Sequence, residues 1–359
     1  MIPLPGLVRS AAAPRRLRTV LAALALGLWL GAPGPVAAAA TAEDPCRGSN
    51  LVEALRADGK LPAIEAAAAA VPDGEGKLFR IERDGVAPSF LFGTMHLSDP
   101  RVLTLPPAAD AAFAASARLV IETTDAADPA KAAAAFFAHP EFVNLPRGET
   151  LASLLDPADL ATVEAGLTAR GIPLQAVETL QPWFTAVSLM LPACETARKE
   201  EGGAVLDTAL AERATAEGKP VEGLETAAEQ LEALASLSLD LQLESLVATV
   251  ALSERMPDIM ETMLALYLEG RIAMIMPAIE AAVPNGGLLV GAGEGYAEFE
   301  RRVVTERNQR MVERMQPMLA KGGAFVAVGA LHLPGESGLV ALLREEGWEV
   351  SRADSLGPQ

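Results

Sequence analysis

The sequence predicts an α/β protein: a central mixed sheet with its functional site at the carboxyl ends of the strands, and a large helical insertion as a cap. Three observations carry this prediction. Two apolar runs at opposite ends of the chain close on the same phrase: Ser-Phe-Leu-Phe-Gly-Thr-Met-His-Leu, ending at Leu97, and Ala-Phe-Val-Ala-Val-Gly-Ala-Leu-His-Leu, ending at Leu333. An apolar run that stops at Gly reads as a buried strand turning sharply into a loop. Between the two phrases, residues of about 126–283 are overwhelmingly helical in pattern, and half of all residues are hydrophobic, ample for a sizeable core. The 359 residues suit two domains or one large α/β domain with an insertion. We divide them into a leader, 1–42, and one α/β domain, 43–359.

The leader has the zones of a secretory signal. Arg9, Arg15, Arg16 and Arg18 form a basic segment, Val20 to Leu30 is apolar, and Ala38 to Ala42 offers small residues for cleavage. Gly31, Pro33 and Pro35 break the apolar run too early for a membrane span. The expectation is export to a periplasm-like space without a stable membrane anchor after cleavage. Residues 43–76 are Ala-rich and helical in pattern, broken at Pro62 and Pro72. Leu78 to Arg83 alternates apolar and charged residues, Asp84-Gly85 marks a turn, and a second strand begins at Pro88, so the pair reads as a hairpin. Ala108 to Ala117 is a helix, and Arg118 to Thr123 a short strand with Glu122 at its end.

In the insertion, Pro157 opens a helix that Gly171 closes, Pro182 opens another, and Ala204 to Glu217 makes a third. Lys219 to Thr226 holds a short strand and loop. Met256, Met260, Met263, Leu264 and Tyr267 follow at helical spacing and read as core or groove wall. Gly291 to Gly295 reads as a loop, because it lacks the spacing of a nucleotide fingerprint. Phe299 to Leu319 is a charged helix, Phe325 to Val328 a core strand, Gly338 to Glu346 a helix, and Trp348 to Val350 a terminal strand.

The formal charge is −18; with the four leader arginines removed, 25 basic residues face 47 acidic ones, a charge of −22. That argues against nucleic acid or anionic lipid as a partner. The two cysteines, Cys46 and Cys194, suggest one disulfide in an oxidising compartment.

The chain has three histidines, and His96 and His332 close the two repeated phrases. In open α/β sheets, ligand chemistry sits just beyond the carboxyl ends of the strands. Two imidazoles delivered there, with Glu122 at the end of a third apolar strand, form the ligand set of many catalytic divalent-metal sites with an open position for water. Arg307, one helix before the second histidine, would stabilise an oxyanion or hold a substrate carboxylate; a helix-surface salt bridge is the alternative. Glu225 has the same strand-end logic as Glu122, or is a helix-start acid. His139, before Pro140, reads as surface structure. HExxH and G-x-S-x-G are both absent.

An ordered set of motifs spans nearly the whole mature chain: Cys46-x-Gly48, Leu91 to Leu97, Glu122, Pro182-Trp183, Gly218 to Thr226, Tyr267 to Gly270, Glu306-Arg-Asn308 and Val328 to Gly335. In these the sequence resembles the TraB/GumN family, related to the Tiki proteins that act as metal-dependent proteases. More distantly it resembles the erythromycin esterases. The resemblance implies an active site of the paired G-x-x-H histidines and the strand-end Glu, a divalent cofactor such as Mn, Co or Zn, and a peptide or protein substrate. Gly270-Arg271 departs from the Gly-Asp often found in relatives, so Arg271 receives no role. Two other readings stand beside the metal-dependent peptidase: a metal-free ester or amide hydrolase with a His as general base, and a non-catalytic protein that binds peptide or saccharide.

Overall fold

A computed structural model describes residues 48–125, 129–283 and 294–354. Six strands, β1 (Leu78–Arg83), β2 (Val86–Thr94), β3 (Arg118–Ile121), β4 (Val221–Gly223), β5 (Ala324–Gly329) and β6 (Glu349–Arg352), form one sheet in the order β4-β3-β5-β2-β1-β6. β4, β3, β5 and β2 are mutually parallel, while β1 and β6 join antiparallel at the far side. The sheet is therefore mixed, and the protein is α/β with helical insertions, as predicted. The register pairs Thr94 with Gly329, Ile121 with Ala327, and Ile121 with Gly223. Four parallel strands thus end along one edge.

Period-two alternation divides the strand residues between two cores. Leu78, Phe92, Leu119, Ile121, Phe325 and Ala327 face one side, under the helices Pro107–Ala115, Leu206–Ala216 and Met256–Leu268. Phe79, Leu91, Val120, Val326 and Val328 face the other, against Glu306–Leu319 and Leu339–Glu345. Phe325 lies at the centre of the first core, its ring centroid 5.6 Å from Phe92 and 5.4 Å from Phe113. Both separations are within the range of favourable aromatic pairs. The central strands are buried on both faces, which is why they read as continuous apolar runs.

The helices of the middle stretch bury a core of their own. Leu151, Val163, Leu167, Ala186, Leu189, Leu246 and Val250 meet there. Asp156 caps the helix Pro157–Ala169 by accepting from the N–H groups of Ala158 and Asp159. Gly166 permits its close approach to the helix Leu239–Ala251: a Cβ there would collide with Val250 Cγ1. Among the described residues no single helix is long and apolar enough to cross a membrane.

The helical stretch breaks just before Pro62, which stands in the first turn of Leu61–Ala69, where the first helical N–H groups have no partner to lose. Two local expectations change. Glu294 and Gly295, expected in a loop, begin the helix Glu294–Phe299; Gly291 to Gly293 lie outside the described residues. The continuous helix expected from Phe299 is interrupted by a π-helical turn, Glu300–Thr305, before Glu306–Leu319. Periodicity alone does not reveal such a turn. The leader and Cys46, half of the expected disulfide, also lie outside the described residues.

Candidate active site

Each of the four parallel strands delivers one ionisable side chain just past its end. His96 follows β2, Glu122 follows β3, Glu225 follows β4 and His332 follows β5. Glu122 is the hub. Its Oε1 lies 3.9 Å from His96 Nε2 and 3.9 Å from His332 Nε2, and it accepts the Gly329 N–H at 2.7 Å. Its Oε2 accepts from Arg307 Nη2 at 2.7 Å and from Gln230 Nε2 at 3.0 Å.

The glycines of the two G-x-x-H phrases are explained by close approach. A Cβ on Gly93 would meet Leu333 Cδ1 at 2.7 Å and Ala330 Cα at 2.9 Å. The first phrase therefore packs its glycine against the turn that carries the second histidine. A Cβ on Gly329 would lie 3.2 Å from Glu122 Oε1, 3.5 Å from His332 Cδ2 and 3.7 Å from His96 Nε2. The missing methyl leaves open the space between the three side chains. Tyr267 supports the same corner, its hydroxyl donating to the Gly93 carbonyl at 3.0 Å.

The far nitrogen of each ring is held by another residue. His96 Nδ1 lies 2.7 Å from Asp207 Oδ2, and Asp207 Oδ1 accepts from Thr94 Oγ1 at 2.7 Å. His332 Nδ1 lies 2.7 Å from Asn308 Oδ1, while Asn308 Nδ2 donates to the carbonyls of His332 and Ser337. Both partners are oxygen acceptors, so each Nδ1 carries the proton. In its neutral form each ring presents a bare Nε2 toward Glu122.

The two histidines differ in electrostatics. His332 is buried, and that burial lowers its pKa to about 4 against the pull of Glu122; Arg307 and His96 lower it further. The His96 side chain is 58% exposed. Desolvation opposes its charge, but Asp207, and behind it Glu122, outweigh this and raise its pKa to about 9. For Glu122, burial favours the neutral acid. The His332 and His96 rings, Arg307 and the Gly329 N–H outweigh it and bring the pKa down to about 2.

Arg307 is buried and committed. Nη2 donates to Glu122 and, at 2.7 Å, to Glu225 Oε2; Nε donates to Glu225, and Nη1 to the Val303 carbonyl. The Glu225 side chain has no exposure. Arg307 and Glu225 thus form a buried brace behind Glu122, and the guanidinium is largely taken up. The helix Ala227–Ala235, which brings Gln230 to Glu122, starts in a capping box between Thr226 and Glu229. Glu229 is anchored in turn by Arg314. His139 stands apart, beside Glu141 and stacked on Phe142.

Asp207 and Gln230 were not singled out from the sequence. Each lies within the first turns of a helix, where a lone polar residue resembles an ordinary helix-start residue. Asn308 was visible only as part of the Glu306-Arg-Asn motif.

The donor chemistry fits a divalent ion: two imidazole nitrogens with fixed tautomers, a carboxylate, and a gap that a methyl group would fill. Among the described residues, however, no three His, Cys, Asp or Glu side chains are closed around a single point at coordination distances.

The sequence profile described as the TraB/PrgY/gumN family matches residues 77–352. A curated relative, Metalloprotease TIKI1 of Danio rerio, is 27% identical over 321 residues, covering 78% of this chain and 64% of its own length. The chain therefore spans a little under two thirds of that relative. No solved structure gives a significant match.

Proposed function

This chain belongs to the TraB/PrgY/gumN family, and we propose that it is a metal-dependent hydrolase that cleaves peptide bonds in a peptide or protein substrate. The observation that supports this reading is the convergence of His96 Nε2 and His332 Nε2 on one oxygen of Glu122, each at 3.9 Å, with both Nδ1 atoms held by acceptors. His96, His332 and Glu122 would hold the ion, with Mn, Co or Zn as candidates. When bound, such an ion polarises a carbonyl and lowers the pKa of a coordinated water.

The chain's own residues supply orientation and charge. Asp207 and Asn308 fix the two rings. Arg307 keeps Glu122 ionised and aimed, so it acts as a positioning residue instead of contacting an oxyanion or a substrate carboxylate. Glu225 holds Arg307 in place, and Gln230 fixes the second oxygen of Glu122. The exposed side of His96 faces solvent, where substrate would arrive. Elemental analysis of the purified protein beside His96→Ala, together with peptide cleavage by both, tests the reading. A parent that is metal-free after metal supplementation would sink the metal assignment.

The Asp207–His96 pair at 2.7 Å favours one second reading. A carboxylate-held imidazole can serve as a general base without metal, toward an ester or amide. Hydrolysis that persists in chelator with no bound metal would identify that case. Export with cleavage of the leader, and a Cys46–Cys194 disulfide, complete the proposal. N-terminal sequencing of the secreted protein and thiol labelling of the denatured, unreduced chain test these two points.

A further inference from the structure

A cavity of about 460 Å³ opens beside the turn that carries His332. Its wall includes Leu331, the residue immediately before His332, and Val304, three residues before Arg307. Met276 and Phe299 add apolar surface from two further helices. Leu331 is among the few large hydrophobic side chains left exposed, at 36%. Together with Val304, Met276 and Phe299 it makes a continuous apolar wall beside a polar site. Glu300 and Glu336 also line the cavity, with no Lys or Arg among its described lining residues.

We infer that this cavity is the specificity pocket, receiving a large apolar side chain of the substrate next to the bond that is cleaved. The inference rests on the peptidase reading above and deepens it by naming the side chain selected. The volume is within the range of small-ligand sites and exceeds what one Leu, Met or Phe side chain needs. The segment from Gly329 to Gly338 carries both the histidine and a wall of the cavity, so a chain lying across His96 and His332 places a neighbouring side chain there. Met276 offers an adaptable surface suited to several apolar side chains. The two carboxylates exclude Asp and Glu from the pocket by repulsion and desolvation.

The test is a mixture of synthetic peptides cleaved by the full-length protein, with the cut sites mapped by mass spectrometry. The parent should show at least tenfold enrichment of Leu, Met or Phe over Asp and Glu at one position flanking the cut. Leu331→Glu alters an exposed position and should shift that preference toward Lys or Arg. Met276→Ala should raise the ranking of the largest side chains, Phe and Trp. Thermal melting of both variants checks that they fold. Cleavage by the parent with no selection at any flanking position, or unchanged selection in both folded variants, overturns the pocket and leaves the peptidase reading intact. Absence of any cleavage by the parent overturns the peptidase reading, and this inference with it.

Discussion

Asn308 fixes the tautomer of His332. Its Oδ1 accepts from the ring Nδ1 at 2.7 Å, and its own amide N–H groups are taken by the carbonyls of His332 and Ser337. The amide cannot flip without losing both bonds, so His332 presents a bare Nε2 to Glu122. Asn308→Leu removes the lock. We expect metal affinity to fall by about 10–100-fold, read by calorimetric titration of the folded variant. Unchanged affinity would mean that the ring is held by packing alone.

Loss of either histidine removes half of the nitrogen donors. His96→Ala and His332→Ala should each abolish metal binding and hydrolysis together, since the residues act as a unit. Glu122→Gln keeps the shape but loses the charge, and should retain partial occupancy. His139→Ala, outside the site, should behave as the parent. Metal stoichiometry and cleavage rates for these four variants decide the matter, and a fully active His96→Ala would refute it.

The two glycines separate site from fold. Gly329 has φ −52°, a value open to alanine, so Gly329→Ala should fold with a small change in melting temperature. Its methyl would lie 3.2 Å from Glu122 Oε1 and should lower activity by at least tenfold. Gly93→Ala forces apart Leu333 and the Ala330 backbone, and should cost about 1–3 kcal/mol of stability. Chemical denaturation beside activity measures both effects. A Gly329→Ala protein with parental activity would show that the gap is not used.

Arg307→Met leaves Glu122 buried without its guanidinium, and leaves Glu225 only the longer pairing with Arg310 at 3.5 Å. Breaking such a pair costs about 3–5 kcal/mol. Arg307→Lys should recover part of the stability and little of the activity, because an ammonium lacks the fork that reaches both carboxylates. Melting curves of the two variants test this expectation. Equal stability of Arg307→Met and parent would overturn it.

Lys77 provides a pH signature away from the two histidines. It is buried, its Nζ 4.2 Å from the centroid of the Tyr267 ring. Burial lowers its pKa to about 8, against the attraction of Asp354. The unfolded chain, with an ordinary value of about 10.4, therefore binds more protons than the native state between about pH 8 and 10.4. Stability attributable to Lys77 rises with pH across that window, and the cost of its charge is fully present below it. Lys77→Met should be more stable than the parent at pH 7, with the difference shrinking by pH 10. Urea denaturation at pH 7, 8, 9 and 10 measures it. Parallel pH profiles would place the perturbation elsewhere.

The strands and the two histidines were legible because buried parallel strands leave an unmistakable trace, an apolar run that ends in glycine. Glu122 and Glu225 were legible by the same logic. The parallel pairing of β3 with both β4 and β5 was not, since a four-residue strand carries no signal about its neighbours. Nor does sequence record what a polar side chain faces. Arg307 suggested a substrate contact, and only the fold shows it enclosed between two carboxylates. Asp207 is placed by Thr94, more than a hundred positions earlier, and no local pattern links the two. The π-helical turn at Glu300–Thr305 keeps helix-like composition and so escaped periodicity.

β5 lies in the middle of the sheet, between β3 and β2, yet the chain reaches it late; the Ala324 N–H bonds to Ser89, 235 positions away. During synthesis the two halves of the sheet have no shared strand until that segment emerges. Pairing so distant in sequence is slow to nucleate. A nascent or truncated chain lacking β5 holds His96 and Glu122 on unjoined edges and has no second imidazole. The candidate site is therefore incomplete until the final central strand is threaded into place, a delay that separates manufacture of the polypeptide from assembly of the site.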